Sequence, residues 1–209
     1  MILLINPNST ASMTAAMLQT MRETAPGVAF DAWTSHDGPP AIQGREDGEA
    51  AVPPLLGLVG KAQDARAIII GCFDDTGLEA AREIASCPVI GIGQAAYHLA
   101  SIAGRRFSVV TTLAVSTPIL EENIQTYGLS GQLGKVRASD VPVLDLEKDP
   151  DAAAEKVLNE ILVAERQDNV QSIVLGCAGM VGIAEKAKTR TDMRLIDGVR
   201  AAAVIAQAF

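Results

Sequence analysis

The stretch "AIIIGC" at residues 67–72 and the stretch "SIVLGC" at residues 172–177 decide the fold. Each is an apolar run of strand length, closed by Gly and Cys, as expected of a strand buried on both faces. Cys177 lies 105 residues after Cys72, and other segments repeat at nearly the same distance. "ILLINPNST" at 2–10 matches "FSVVTTLAV" at 107–115 when Ile5-Asn6 is laid on Val110-Thr111. "PVIGIGQAA" at 88–96 matches "MRLIDGVRAAA" at 193–203, with Ile90 on Ile196. Three segments repeating in one order at half the chain length read as a duplicated α/β half, because solenoid periods are far shorter.

Apolar runs predict strands at 2–5, 67–70, 88–92, 107–110, 142–146, 172–175 and 194–196, with a weaker alternating candidate at 28–33. Ala-rich segments of helical period predict helices at 10–24, 45–62, 76–85, 94–103, 116–127, 150–166, 180–187 and 198–208. Strand-helix alternation predicts an α/β fold of mainly parallel sheets. The repeat divides it into two similar subdomains, residues 1–94 plus 197–209 and residues 95–196. A pseudo-twofold axis would relate them, with the active site in the cleft between.

Composition narrows the partners. Aromatics are 3% of the chain, so Ala, Ile, Val and Leu must build the core. A net charge of −8 argues against nucleic acid or an anionic membrane surface, both of which need a basic face. No apolar run approaches the roughly 20 residues of a membrane span, and "MILLINPNST" lacks the basic start of a secretory signal. Three cysteines without an export signal read as reduced thiols in the cytoplasm. With no CxxC or His-rich cluster, no metal site is expected. Cys87 reads as a small buried hydrophobe, and His36 and His98 as structural or solvated.

In parallel α/β sheets ligands bind beyond the carboxyl ends of the strands. Cys72 and Cys177 both sit there, so halves facing each other would aim the two thiols into one cleft. Like groups on opposite faces of a small substrate suit inversion at a carbon next to a carbonyl: one thiolate takes the proton and the opposite thiol returns one. Each cysteine precedes a predicted helix start, which favours its thiolate. The enolate charge needs donors, and Asn8, Ser9, Thr111, Thr112 and the N–H groups of "CAGM" are placed to supply them. Phe73 and Asp75 flank the first thiol and join the substrate-binding set. For Asp74 and Asp75 two readings stay open: holding the loop and helix start, or placing the substrate.

"INPNST", "GCFDDTGLEAAR", "PVIGIGQAA", "FSVVTTL", "VPVLDLE", "VLGCAGM" and "IDGVRAA" occur in this order, and together they resemble the aspartate/glutamate/hydantoin racemase superfamily. The hydantoin and allantoin racemase branch is the nearest in motif. The resemblance implies a cofactor-independent isomerase acting on a small molecule, homo-oligomeric, with Cys72 and Cys177 as acid and base. It also implies substrate contacts from Asn8, Thr111, Thr112, Ala178 and Gly179. Glutamate and aspartate racemases resemble "CNT" after the first cysteine and "CT" after the second. Here Phe-Asp-Asp and Ala-Gly-Met stand there, and no Arg in a strand-end loop could grip a carboxylate. A neutral ring substrate is therefore expected over a free acidic amino acid. Maleate cis-trans isomerases, which also use two cysteines, and a non-catalytic small-molecule binder are the alternatives. Two departures from the family pattern are Thr76, where many relatives carry proline, and the Gly/Pro-rich segment 36–50, a loop able to cover the site.

Overall fold

The computed structural model describes residues 1–104, 106–187 and 189–209. The first sheet holds β1 (Ile2–Asn6), β2 (Phe30–Thr34), β3 (Ala67–Ile70) and β4 (Val89–Gly91). The second holds β5 (Phe107–Thr111), β6 (Leu133–Ala138), β7 (Ser172–Gly176) and β8 (Arg194–Asp197). Both are parallel throughout, ordered β2-β1-β3-β4 and β6-β5-β7-β8. The registers carry the repeat: Ile5 faces Ile70 in the first sheet, and Val110 faces Leu175 in the second. Central strands β1, β3, β5 and β7 are buried along their whole length, as their unbroken apolar runs require.

The helices are α1 (Ala11–Thr24), α2 (Arg45–Val59), α3 (Leu78–Ile84), α4 (Ile92–Ala103), α5 (Thr117–Thr126), α6 (Asp145–Lys148), α7 (Pro150–Gln167), α8 (Ile183–Ala187) and α9 (Gly198–Ala206). They cover the sheets, but two of them cross between the halves. Helix α4 leaves the first sheet and packs on β7 of the second; α9 leaves the second and packs on α1 and α4. One buried cluster therefore runs through both halves, from Ile2 and Leu4 through Tyr97 to Phe107, Val174 and Val199. Four of the seven aromatics, Phe73, Tyr97, Phe107 and Tyr127, gather at this junction. Tyr97 lies edge-on to Phe73 at 5.4 Å and stacked on Phe107 at 6.0 Å. Such packing ties the halves at the base of the cleft.

Three expectations change. The run at 142–146 is not a strand: the Asp145 N–H bonds to the Pro142 carbonyl and the chain turns into α6. The edge it would have filled belongs to β6, "LGKVRA", whose inward Arg137 disguised it. Arg137 is buried there because Asp168 and Glu160 hold its guanidinium and Ser108 donates to the same Asp168. The predicted helix at 180–187 shrinks to α8, preceded by a 3-10 turn at Ala178–Met180. Segment 36–50 is irregular only up to Gly44, where α2 begins.

Candidate functional site

The two cysteines stand where β3 and β7 end, and both line one narrow cavity between the sheets. The first half contributes Asn8, Met13, Ile42, Cys72, Phe73 and Asp74; the second contributes Thr112, Ser116, Val143, Cys177, Ala178 and Gly179. The cavity has a volume of about 30 Å³.

Each thiol faces a main-chain N–H two residues on, from Asp74 for Cys72 and from Gly179 for Cys177. These N–H groups occupy equivalent positions of the repeat, and each favours the thiolate. Burial works the other way and dominates. It raises the Cys72 thiol far above the ordinary range, with the Asp74 charge adding to the rise, and it pushes Cys177 up to about 12. Cys72 has a second partner, the Thr76 hydroxyl at 3.3 Å from Sγ. The Asp74 charge raises both thiols, and Asp74 lines the cavity they share.

Asp74 itself is raised to about 6 by burial, against a lowering hydrogen bond from the Ser116 hydroxyl at 3.3 Å. Its carbonyl accepts from Asn123 Nδ2 at 2.8 Å, so both contacts reach across from the second half.

Asn8 is oriented by its surroundings. Its Oδ1 accepts from Asn6 Nδ2 and from the Thr10 N–H, both at 2.9 Å. That fixes the amide with its NH2 as the donor, which among the described residues meets the Met13 sulfur at 3.7 Å. Thr112 is buried and lines the same cavity.

The other expected residues fall elsewhere. Thr111 lies beneath the cavity, its hydroxyl given to the Gly176 carbonyl at 2.9 Å, where it ties β5 to β7. Ser9 is stitched by its N–H to the Pro39 carbonyl and is not among the lining residues. Asp75 does not line the cavity either. It is buried with φ +50, and it accepts from the Gly93 N–H at 3.0 Å, the Gln94 N–H at 2.7 Å and the Tyr127 hydroxyl at 2.8 Å. Those N–H groups are the second and third of α4, so Asp75 caps that helix from another loop. Burial raises it to about 7, with the three donors opposing. The room for it comes from "GIG": a Cβ on Gly91 would sit 2.0 Å from Asp75 Oδ1, and one on Gly93 would sit 2.8 Å from Oδ2. That glycine pair is the signal by which the sequence could have assigned Asp75.

Ile42, Ser116 and Val143 also line the cavity: Ile42 comes from the irregular segment before α2, Ser116 from the 3-10 turn that leads into α5, and Val143 from the run read as a strand. Ile42 sits in a segment pinned across the cleft, where the Val143 N–H donates to Gln43 Oε1 at 2.9 Å. Among the described residues no group of three or more His, Cys, Asp or Glu is placed to hold a metal ion. None of the helices described is long and apolar enough to cross a membrane.

Comparison with known proteins bears on this site. The Asp/Glu/hydantoin racemase family model matches residues 2–206. A hydantoin racemase of Rhizobium meliloti is 46% identical over 98% of this chain and 86% of its own. The solved allantoin racemase of Klebsiella pneumoniae superposes with a TM-score of 0.94 at 36% identity, covering 99% of this chain and 86% of that one. The allantoin racemase of Pseudomonas fluorescens superposes with a TM-score of 0.94 at 34% identity, covering 99% and 89%.

Proposed function

We propose a specific activity from one premise: the chain belongs to the Asp/Glu/hydantoin racemase family and is an isomerase of the racemase type. The activity is racemisation at C5 of 5-substituted hydantoins, allantoin among them. The observation that carries it is the pair of thiols lining one cavity from repeat-equivalent strand ends, each with an N–H two residues on.

The steps balance without a cofactor. A thiolate on one face takes the C5 proton and becomes a thiol. The electron pair left at C5 delocalises onto the C4 carbonyl oxygen. The opposite thiol gives its proton to the other face and becomes the thiolate. The enzyme is left with its protonation states exchanged, ready for the opposite enantiomer. Asn8 Nδ2 and the Thr112 hydroxyl are the donors for the enolate oxygen, and holding that charge is worth several kcal/mol in a dry site. Phe73, Ala178 and Gly179 bound the ring, and Asp74 accepts from ring N–H groups. Of the remaining residues first expected to bind substrate, Ser9 and Thr111 shape the loop and the floor, and Asp75 holds α4.

A neutral ring fits this cavity better than a free amino acid. None of the described residues lining it is Arg or Lys, and Asp74 would repel a carboxylate. The two units that form the cleft are residues 1–94 with 197–209 and residues 95–196, a division supported by α9 packing back on α1. We place the enzyme in the cytoplasm as a homo-oligomer, an assembly that light scattering on the eluted protein would measure.

Circular dichroism follows turnover of L-5-benzylhydantoin, L-5-isopropylhydantoin, one allantoin enantiomer, L-glutamate and L-aspartate in parallel. Loss of signal with a hydantoin or allantoin alone is the expected result. Racemisation of glutamate or aspartate with every hydantoin inert would overturn the assignment.

A further inference from the structure

The cavity between the thiols is narrow, about 30 Å³. With the reacting carbon of a hydantoin ring between the two sulfurs, the group on C5 needs space of its own. A second cavity, of about 210 Å³, adjoins the first through a shared wall, Asp74. It lies between α2 of one half and α5 of the other, lined by Arg45, Gly48, Glu49, Val52, Thr76 and Ile119 around Asp74 and Asp75. Thr76 brings it up to the reacting sulfur, because its hydroxyl is 3.3 Å from Cys72 Sγ.

We propose that this second cavity is the subsite for the substrate's 5-substituent and that it takes a neutral or cationic group rich in N–H donors, such as ureido, in preference to a carboxylate. The inference rests on the hydantoin racemase reading and narrows it. Its polar walls are mostly acceptors. Glu49 and Asp74 bring carboxylates, and so does Asp75, whose oxygens are already taken by the Gly93 and Gln94 N–H groups and the Tyr127 hydroxyl. The cation in the wall, Arg45, has its guanidinium on both oxygens of Glu122 across the cleft mouth, at 3.1 and 2.9 Å. An entering carboxylate would meet two like charges and compete for that one partner. A ureido group would give its N–H donors to them while Val52 and Ile119 hold its flat face.

Gly48 gives direct access to the test. A Cβ there would lie 3.9 Å from Thr76 Oγ1, an ordinary contact inside a helix, so alanine is accommodated and leucine fills the cavity. The kcat/KM values are measured for allantoin, 5-methylhydantoin and 5-(2-carboxyethyl)hydantoin in the native protein and in Gly48→Ala, Gly48→Leu and Glu49→Gln. The native protein should favour the ureido over the carboxyethyl compound by at least about tenfold, the scale of one specific polar contact. Gly48→Leu should lower the allantoin to 5-methylhydantoin ratio by about tenfold, with Gly48→Ala between. Glu49→Gln, which folds whatever Gly48 tolerates, should narrow the ureido to carboxyethyl ratio. Unmoved ratios in the variants, or equal turnover of the two substituents by the native protein, would overturn the subsite. Failure of the native protein to turn over even 5-methylhydantoin would instead overturn the hydantoin reading beneath it.

Discussion

The loop after Cys72 and the loop after Cys177 hold the same place in the repeat and do different work. Aligned, they pair Phe73 with Ala178, Asp74 with Gly179, Asp75 with Met180, Thr76 with Val181 and Gly77 with Gly182. Both give their thiol an N–H at the second position. The first loop adds a carboxylate to the lining of the shared cavity, a hydroxyl on its own thiol and a buried acid that caps α4. The second loop is small: a methyl, a glycine and a buried methionine. Its helix cap comes instead from Asp197 at the end of β8, which accepts from the Arg200 N–H at 2.8 Å, where the first half has Gly91. Duplication thus kept the thiols and their N–H groups. It let the charges, caps and hydroxyls diverge, so the two thiols have unlike surroundings.

The largest expected effect tests what the halves share. Cys72→Ala and Cys177→Ala should each lower racemisation by at least about 10²-fold, the usual weight of one acid or base. A single variant keeping near-native turnover would break the equivalence.

Next come the two caps. Asp75→Ala strands two helix N–H groups and a tyrosine hydroxyl in a buried site, an expected loss of about 2–3 kcal/mol. Asp197→Ala removes a local cap, worth about 1 kcal/mol. Urea midpoints rank them, and the reverse order would contradict the assignment of Asp75. Folding raises the Asp75 carboxyl to about 7, so its contribution is present below the unfolded carboxylate range and lost as pH rises through about 7. Asp74, raised to about 6, acts with the same sign. The midpoint should fall between pH 5 and 8, and less steeply in Asp75→Asn; equal slopes would remove Asp75 as the source.

Smaller shifts separate Asp74 from Thr76. Removing the Asp74 charge lowers the pKa of both thiols, so in Asp74→Asn alkylation of each should begin at lower pH. Thr76→Val removes a donor from Cys72 alone and should move that thiol up, leaving Cys177 in place. Mass spectrometry of the alkylated peptides reads each cysteine separately. A change confined to Cys72 in Asp74→Asn would contradict a carboxylate serving both.

Much of this was legible in the sequence because the repeat is written in apolar runs. Residues 67–72 and 172–177 gave β3, β7 and both cysteines, since a buried parallel strand must be continuously apolar and its end marks the site. Asn8 and Thr112 followed from equivalent strand ends. What hid was held by contacts between distant segments. Strand β6 carries Lys135 and Arg137, and only the fold brings Asp168 and Glu160 to bury the arginine. The run at 142–146 has the apolar content of a strand, but it places Val143 over the cleft. The helix-capping role of Asp75 was hidden because its partners, Gly93, Gln94 and Tyr127, lie 18 to 52 residues away.

Exchange of the C5 proton in D2O tests the central claim most directly. With each single Cys→Ala variant, solvent deuterium uptake is followed by proton NMR for each enantiomer of one 5-substituted hydantoin. If Cys72 and Cys177 serve opposite faces, each variant loses racemisation but still exchanges the proton of one enantiomer, and the two variants choose opposite enantiomers. Both variants exchanging the same enantiomer, or either exchanging both at equal rates, would contradict the two-faced arrangement of thiols.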